Sequence, residues 1–203
     1  MGFFCKSWMI MKRITVEQYR NVDLMMWIVM TIVFETITTM ATIKWFYLQP
    51  VALSITLALV CAVMMRWNGY AAIIAGVGGL VVCIISGANI EQYVIYCIGN
   101  MFALIAMLLM KYLGKEKIQR SFLNKVLFAT VAYVGMVLGR WVVSLFFGGD
   151  VTAFTVYITT DIMSLLFAVM ILHILGKCDG MIEDQKAYLQ RVWEEDEEEN
   201  NIY

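Results

Sequence analysis

Long apolar runs follow one another through this chain with little between them, at residues 22–43, 51–65, 70–85, 93–113, 123–147 and 154–175. At about 1.5 Å per helical residue, most of these runs reach across a hydrocarbon core of about 30 Å; the second and third need their flanks or a locally thinned bilayer. Barrel strands would alternate in polarity over short segments, and a single proline leaves the runs unbroken, so they read as helices. Charged residues make up 15% of the chain, against about 25% in soluble domains, and hydrophobic residues make up 62%. The expectation is an all-α integral membrane protein, a bundle of about six transmembrane helices. The turn Arg66-Trp67-Asn68-Gly69 is charged and aromatic, suits an interface, and favours two separate spans over one re-entrant hairpin.

Orientation follows from the basic residues. With the N-terminus inside, every Lys and Arg falls on the cytoplasmic side except Lys44, in an outer loop, and Arg140, inside a span. Both termini are then cytoplasmic. Residues 1–21 read as an interfacial or cytoplasmic segment, with Phe3, Phe4 and Trp8 beside Lys6, Lys12 and Arg13. Residues 22–175 form the transmembrane domain. Residues 176–203 read as a short interfacial helix, with Met181, Tyr188 and Val192 at helical spacing, followed by an acidic disordered tail.

Between Arg66 and Asn100 lies a helix-long run rich in Ala and Gly. Ala71, Ala75 and Gly79 fall four apart and form a smooth seam for close helix packing; Ala58 and Ala62 offer a second small-residue face, to a neighbouring helix or a partner. The GVGG at residues 76–79 lacks the acidic residue that a dinucleotide fingerprint requires, and no P-loop occurs. One histidine cannot supply HExxH, and no GxSG-like turn is present, so hydrolysis is not expected. The five cysteines form no CxxC pair, and neither a metal, a disulfide nor a cofactor is implied. A net charge of −1 gives no reason to expect a nucleic-acid partner.

The chemistry therefore rests on polar groups inside the spans. Glu35, Arg140 and Asp161 lie in the first, fifth and sixth runs, and such groups usually face the bundle interior or a wet cavity. Counted from the outer ends of their runs, Arg140 and Asp161 sit about 10–12 Å deep and Glu35 about 15 Å, all in the outer half. Tyr93, Tyr96 and Asn100 open the fourth run, and Tyr157 precedes Asp161 by one turn. Together they suit a cavity open to the outside. The two carboxylates against one guanidinium leave one excess negative charge, which selects a small, partly aromatic molecule with a cationic or amine group. The competing reading makes Arg140 and Asp161 an interhelical pair that only sets register. His173 lacks a second ligand at metal spacing and reads as interfacial.

A basic turn leading into AAIIAGVGGLVVCIISGA, six short Met- and Gly-rich spans and an outer polar cluster resemble the substrate-binding S components of energy-coupling factor (ECF) transporters. The resemblance is best over residues 51–100. It implies capture of a vitamin or related micronutrient in the bacterial cytoplasmic membrane, powered by a separate transmembrane coupling subunit and an ATPase pair. The family docks on its coupling subunit through an AxxxA pattern on the first span; here the nearest match is Ala58 to Ala62 on the second. The alternative is a structural scaffold similar to MreD, which needs no ligand.

Overall fold

The computed structural model describes residues 15–45, 52–178 and 180–201, with side chains to residue 194. Its elements are α1 (Val16–Trp45), α2 (Thr56–Trp67), α3 (Ala71–Ser86), α4 (Ile90–Met101), α5 (Ala106–Leu113), α6 (Lys115–Arg120), α7 (Phe122–Leu145), α8 (Thr152–Leu175) and α9 (Gln185–Asn201). Single 3₁₀ turns link α2 to α3 and α4 to α5. No strand occurs among the described residues. Five helical stretches are long and apolar enough to cross a membrane: Val16–Trp45, Thr56–Ser86, Ile90–Leu113, Phe122–Leu145 and Thr152–Leu175.

The second of these stretches is folded back on itself. A Cβ on Gly78 would meet the Thr56 side chain, which a continuous helix would hold about 33 Å away. The reversal occurs at Asn68, whose φ of +54° is a backbone state that Asn tolerates better than most residues. All twelve residues of α2 are buried. The helix is a pillar, with α1, α3, α7 and α8 packed against it; α1, α3, α4, α7 and α8 follow one another around it.

Two helices start at capping boxes that are visible in the sequence. The Thr15 hydroxyl accepts the Gln18 N–H while the Gln18 side chain accepts the Thr15 N–H, and Asn89 with Gln92 repeats the arrangement at α4. The first box starts α1 at Val16, six residues before the apolar run that begins at 22. Residues 1–14 lie outside the described part. At the other end, α9 runs to Asn201 and takes in the acidic stretch. Glu is a good helix former, and Gln185, buried at the base of α9, anchors its first turn.

α1 is apolar on its outside and polar on its inside. Asp23, Trp27, Thr31, Glu35 and Thr39 fall four apart along the buried stripe, whereas Val22 and Met25 are 68% and 69% exposed. That inversion suits a helix solvated by lipid, whose tails leave no incentive to hide apolar groups. The tightest backbone-to-backbone approach at a glycine lies elsewhere, between α4 and α7. A Cβ on Gly99 would overlap the Arg140 backbone, and one on Gly139 would overlap the Gly99 carbonyl. With Gly135, which lies against the Phe102 carbonyl, Gly139 completes a small-xxx-small pair absent from the seams read from the sequence.

Candidate functional site

The expected site residues separate into two groups. Glu35 is fully buried and works on α2. Its Oε2 accepts the backbone N–H groups of Ile55 (3.0 Å) and Thr56 (2.9 Å) and the Thr56 hydroxyl (2.7 Å). These donors are the orphans of a helix start, and a carboxylate there also meets the positive end of the helix dipole. The expected span at 51–65 begins at Thr56 for this reason. Before it, residues 52–55 lie along α8: the Ala52 N–H donates to the Thr160 carbonyl (2.9 Å) and the Ser54 N–H to the Ser164 hydroxyl (3.0 Å). Oε1 of Glu35 is buried with no partner among the described residues.

The opposite end of α2 is tied to the same helix by a residue that sequence reasoning missed. Asp23 accepts Arg66 Nη2 at Oδ1 (2.7 Å), and at Oδ2 it accepts Arg66 Nε (3.0 Å) and the Trp67 indole N–H (2.6 Å). Arg66 Nη1 donates to the carbonyls of Gly180 (3.1 Å) and Met181 (2.9 Å), which pins the loop after α8 to the base of the bundle. Asp23 and Glu35 are twelve residues apart on α1, about 18 Å, which matches the length of α2. A carboxylate on the buried stripe one α2-length from Glu35 was the available signal.

The second group is a true cluster. Arg140 Nη1 donates to Asp161, and Nε donates to the Asn100 side-chain oxygen (2.7 Å). Asn100 in turn donates to the Ala75 carbonyl (3.3 Å), so the small-residue seam of α3 is also where the cluster is moored. The guanidinium lies over the Tyr96 ring, 4.5 Å from its centroid, and Tyr157 meets Tyr96 edge-on at 6.4 Å. Arg140 and Asp161 are 3% and 5% exposed, and Asn100 is buried. The expected open cavity is therefore a closed, packed cluster, because α4 and α7 approach to glycine contact beside it. Among the described residues, Arg140 Nη2 finds only the Met136 thioether, at 3.7 Å, a weak acceptor.

Tyr93 is half-buried and has no hydrogen bond or ring contact to the cluster among the described residues. Ala58, Ala62, Ala71 and Ala75 are buried inside the bundle, and Gly79 lies against the Tyr96 carbonyl. Comparison with protein-family models, curated proteins and solved structures finds no match to this chain.

Proposed function

We propose that this chain is a six-span membrane subunit, with both ends of its described part on the cytoplasmic side. In this reading it captures a small molecule at Asn100, Arg140 and Asp161, and separate coupling and ATPase subunits supply the energy, as in an ECF-type S component for a vitamin or related micronutrient. The reversal at Asn68 supports counting α2 and α3 as two crossings, and with that count the basic residues collect at one end. The observation that carries the ligand is the spare N–H of a buried guanidinium stacked on the Tyr96 ring, which Tyr157 meets edge-on. A buried donor satisfied only by a thioether is an opening for an acceptor atom.

The geometry changes the expected ligand. Glu35 is turned to the start of α2 and away from the cluster, and Arg140 and Asp161 offset each other, so the excess negative charge that favoured a cation is absent from the cluster. The molecule we infer offers a carbonyl, carboxylate or hydroxyl to Arg140 Nη2 and a flat ring to Tyr96 and Tyr157. Opening between α4 and α8 would admit it. A coupling subunit must dock away from Ala58 and Ala62, since the chain's own helices cover that face. Mass spectrometry of small molecules released from the purified protein tests the proposal. A ring-bearing acceptor molecule that is released from the wild type and about ten-fold less from Arg140→Lys supports it; an equal yield from both sinks it.

The scaffold reading, similar to MreD, rests on one observation of its own: the cluster is closed, as a purely structural ion pair would be. Its distinguishing result is a folded, functional protein that releases no small molecule.

A further inference from the structure

The base of the bundle holds a basic pocket that neither ion-pair cluster uses. It has a volume of about 460 Å³ and is lined by Arg120, Lys125, Lys177 and Arg191, with His173, Gly176, Gln119 and the carboxylates Glu116 and Glu183. Four cations face two carboxylates, and Glu183 is already engaged by Arg191 at 2.9 Å. The pocket thus carries a formal surplus of two positive charges.

Lys125 is the unusual member. It is 5% exposed, and its ammonium has neither a hydrogen bond nor an ion pair among the described residues. Buried lysines are normally paired. The ammonium lies against Gly176, where a Cβ would come within 2.3 Å of Nζ, so a glycine after α8 is what makes room for it. The C-terminal carbonyls of α8 contribute only about half a negative charge, too little to balance the surplus. His173, on the same wall, has a buried Nδ1 that also lacks a partner among the described residues. The Lys125 ammonium lines this cavity with no acceptor among the described residues, so its donors are free for an oxyanion there.

The geometry points to a phosphate group as the occupant, carried by the headgroup of an anionic phospholipid in the leaflet at this end of the bundle. The pocket lies where α7 begins and α8 ends, the level at which headgroups meet span termini. Phe122 stands edge-on to His173 at 5.3 Å and is half exposed, and Ile174 beside it is also exposed, so an apolar flank for acyl chains adjoins the basic one. This inference is independent of what the Arg140 cluster binds.

Native mass spectrometry of the full chain, taken from nanodiscs of phosphatidylglycerol or phosphatidylcholine, tests the assignment. The wild type should retain phosphatidylglycerol at least ten-fold more than phosphatidylcholine, and Lys125→Gln should remove that preference. Should Lys125→Gln fail to fold, Lys177→Gln, at an exposed position, should lower retention several-fold. Equal retention of both lipids, or retention unchanged in a folded variant, overturns the proposal. Inorganic phosphate is the second probe, in lipid-free detergent. If it stabilises the wild type but not Lys125→Gln, and phosphatidylglycerol does not compete, the occupant is a soluble phosphate compound and the lipid assignment falls.

Discussion

Arg66 and Arg140 are both buried and both paired with a carboxylate on another helix, yet they are finished differently. Every side-chain nitrogen of Arg66 reaches an oxygen: two meet Asp23 in a bidentate fork, and the third meets two loop carbonyls. Arg140 spends Nη1 on Asp161 and Nε on Asn100, and turns Nη2 toward a sulfur. A guanidinium with four of its five N–H donors on oxygens is a lock, because little of it is left for a guest. One with a spare donor beside aromatic rings retains room for a guest. The degree of satisfaction, more than burial or charge, separates the structural pair from the candidate site.

The largest expected effect tests the lock. Asp23→Ala leaves Arg66 and the Trp67 indole without their acceptor in the interior and should cost about 3–5 kcal/mol, read as a lowered unfolding midpoint in detergent. A loss below about 1 kcal/mol would show that the Arg66 pair is no more than a surface contact. Glu35→Ala comes next. It strips three donors at the start of α2 and should cost about 2 kcal/mol while leaving small-molecule release unchanged. Loss of the released molecule without loss of stability would return Glu35 to the ligand site.

Arg140→Lys probes the unsaturated partner. Lysine keeps the charge for Asp161 but lacks the planar fork that also reaches Asn100, so the protein should remain folded and ligand retention fall about ten-fold, some 1.4 kcal/mol. Should the variant unfold as readily as Asp23→Ala, the two arginines are equivalent locks and the contrast between them fails.

How legible these roles were depended on the range of the contact. The apolar runs, the pair of Arg140 with Asp161 and the presence of Tyr96, Tyr157 and Asn100 nearby follow from hydropathy and helical spacing, which are local. The role of Glu35 did not, because capping a helix that starts twenty-one residues later depends on how α1 and α2 stack. Asp23 went unnoticed because it sits one residue inside the expected span, where a charge reads as part of the flank. The Gly135 and Gly139 pair was hidden for a similar reason: its neighbour is the Gly99 carbonyl, and glycine spacing alone names no partner. Depth agreement placed Glu35 with Arg140 and Asp161, but equal depth on three helices does not make one site when a pillar stands between them.

The smallest effect comes from an ion pair at the same end as Arg66 but outside the spans. Lys115 Nζ donates to Asp184 at 2.6 Å, with the two side chains 20% and 33% exposed. Partial burial pushes the Asp184 carboxyl up, but the bond to Lys115, its charge and the backbone N–H groups of Lys186 and Ala187 outweigh that and hold it below its ordinary value. A carboxyl lowered in this way adds stability that is fully present above the unfolded value, near 3.8, and is lost as pH falls through the lower folded value. Water screens so exposed a pair, so Asp184→Asn should cost about 0.5 kcal/mol at neutral pH and nothing once the wild-type carboxyl is protonated. Unfolding midpoints across pH 2.5 to 7 should then converge at the acid end. If Asp184→Asn instead cost as much as Asp23→Ala at neutral pH, the dense hydrogen bonding and burial of Arg66 would not be what makes a lock, and any ion pair at this end would serve.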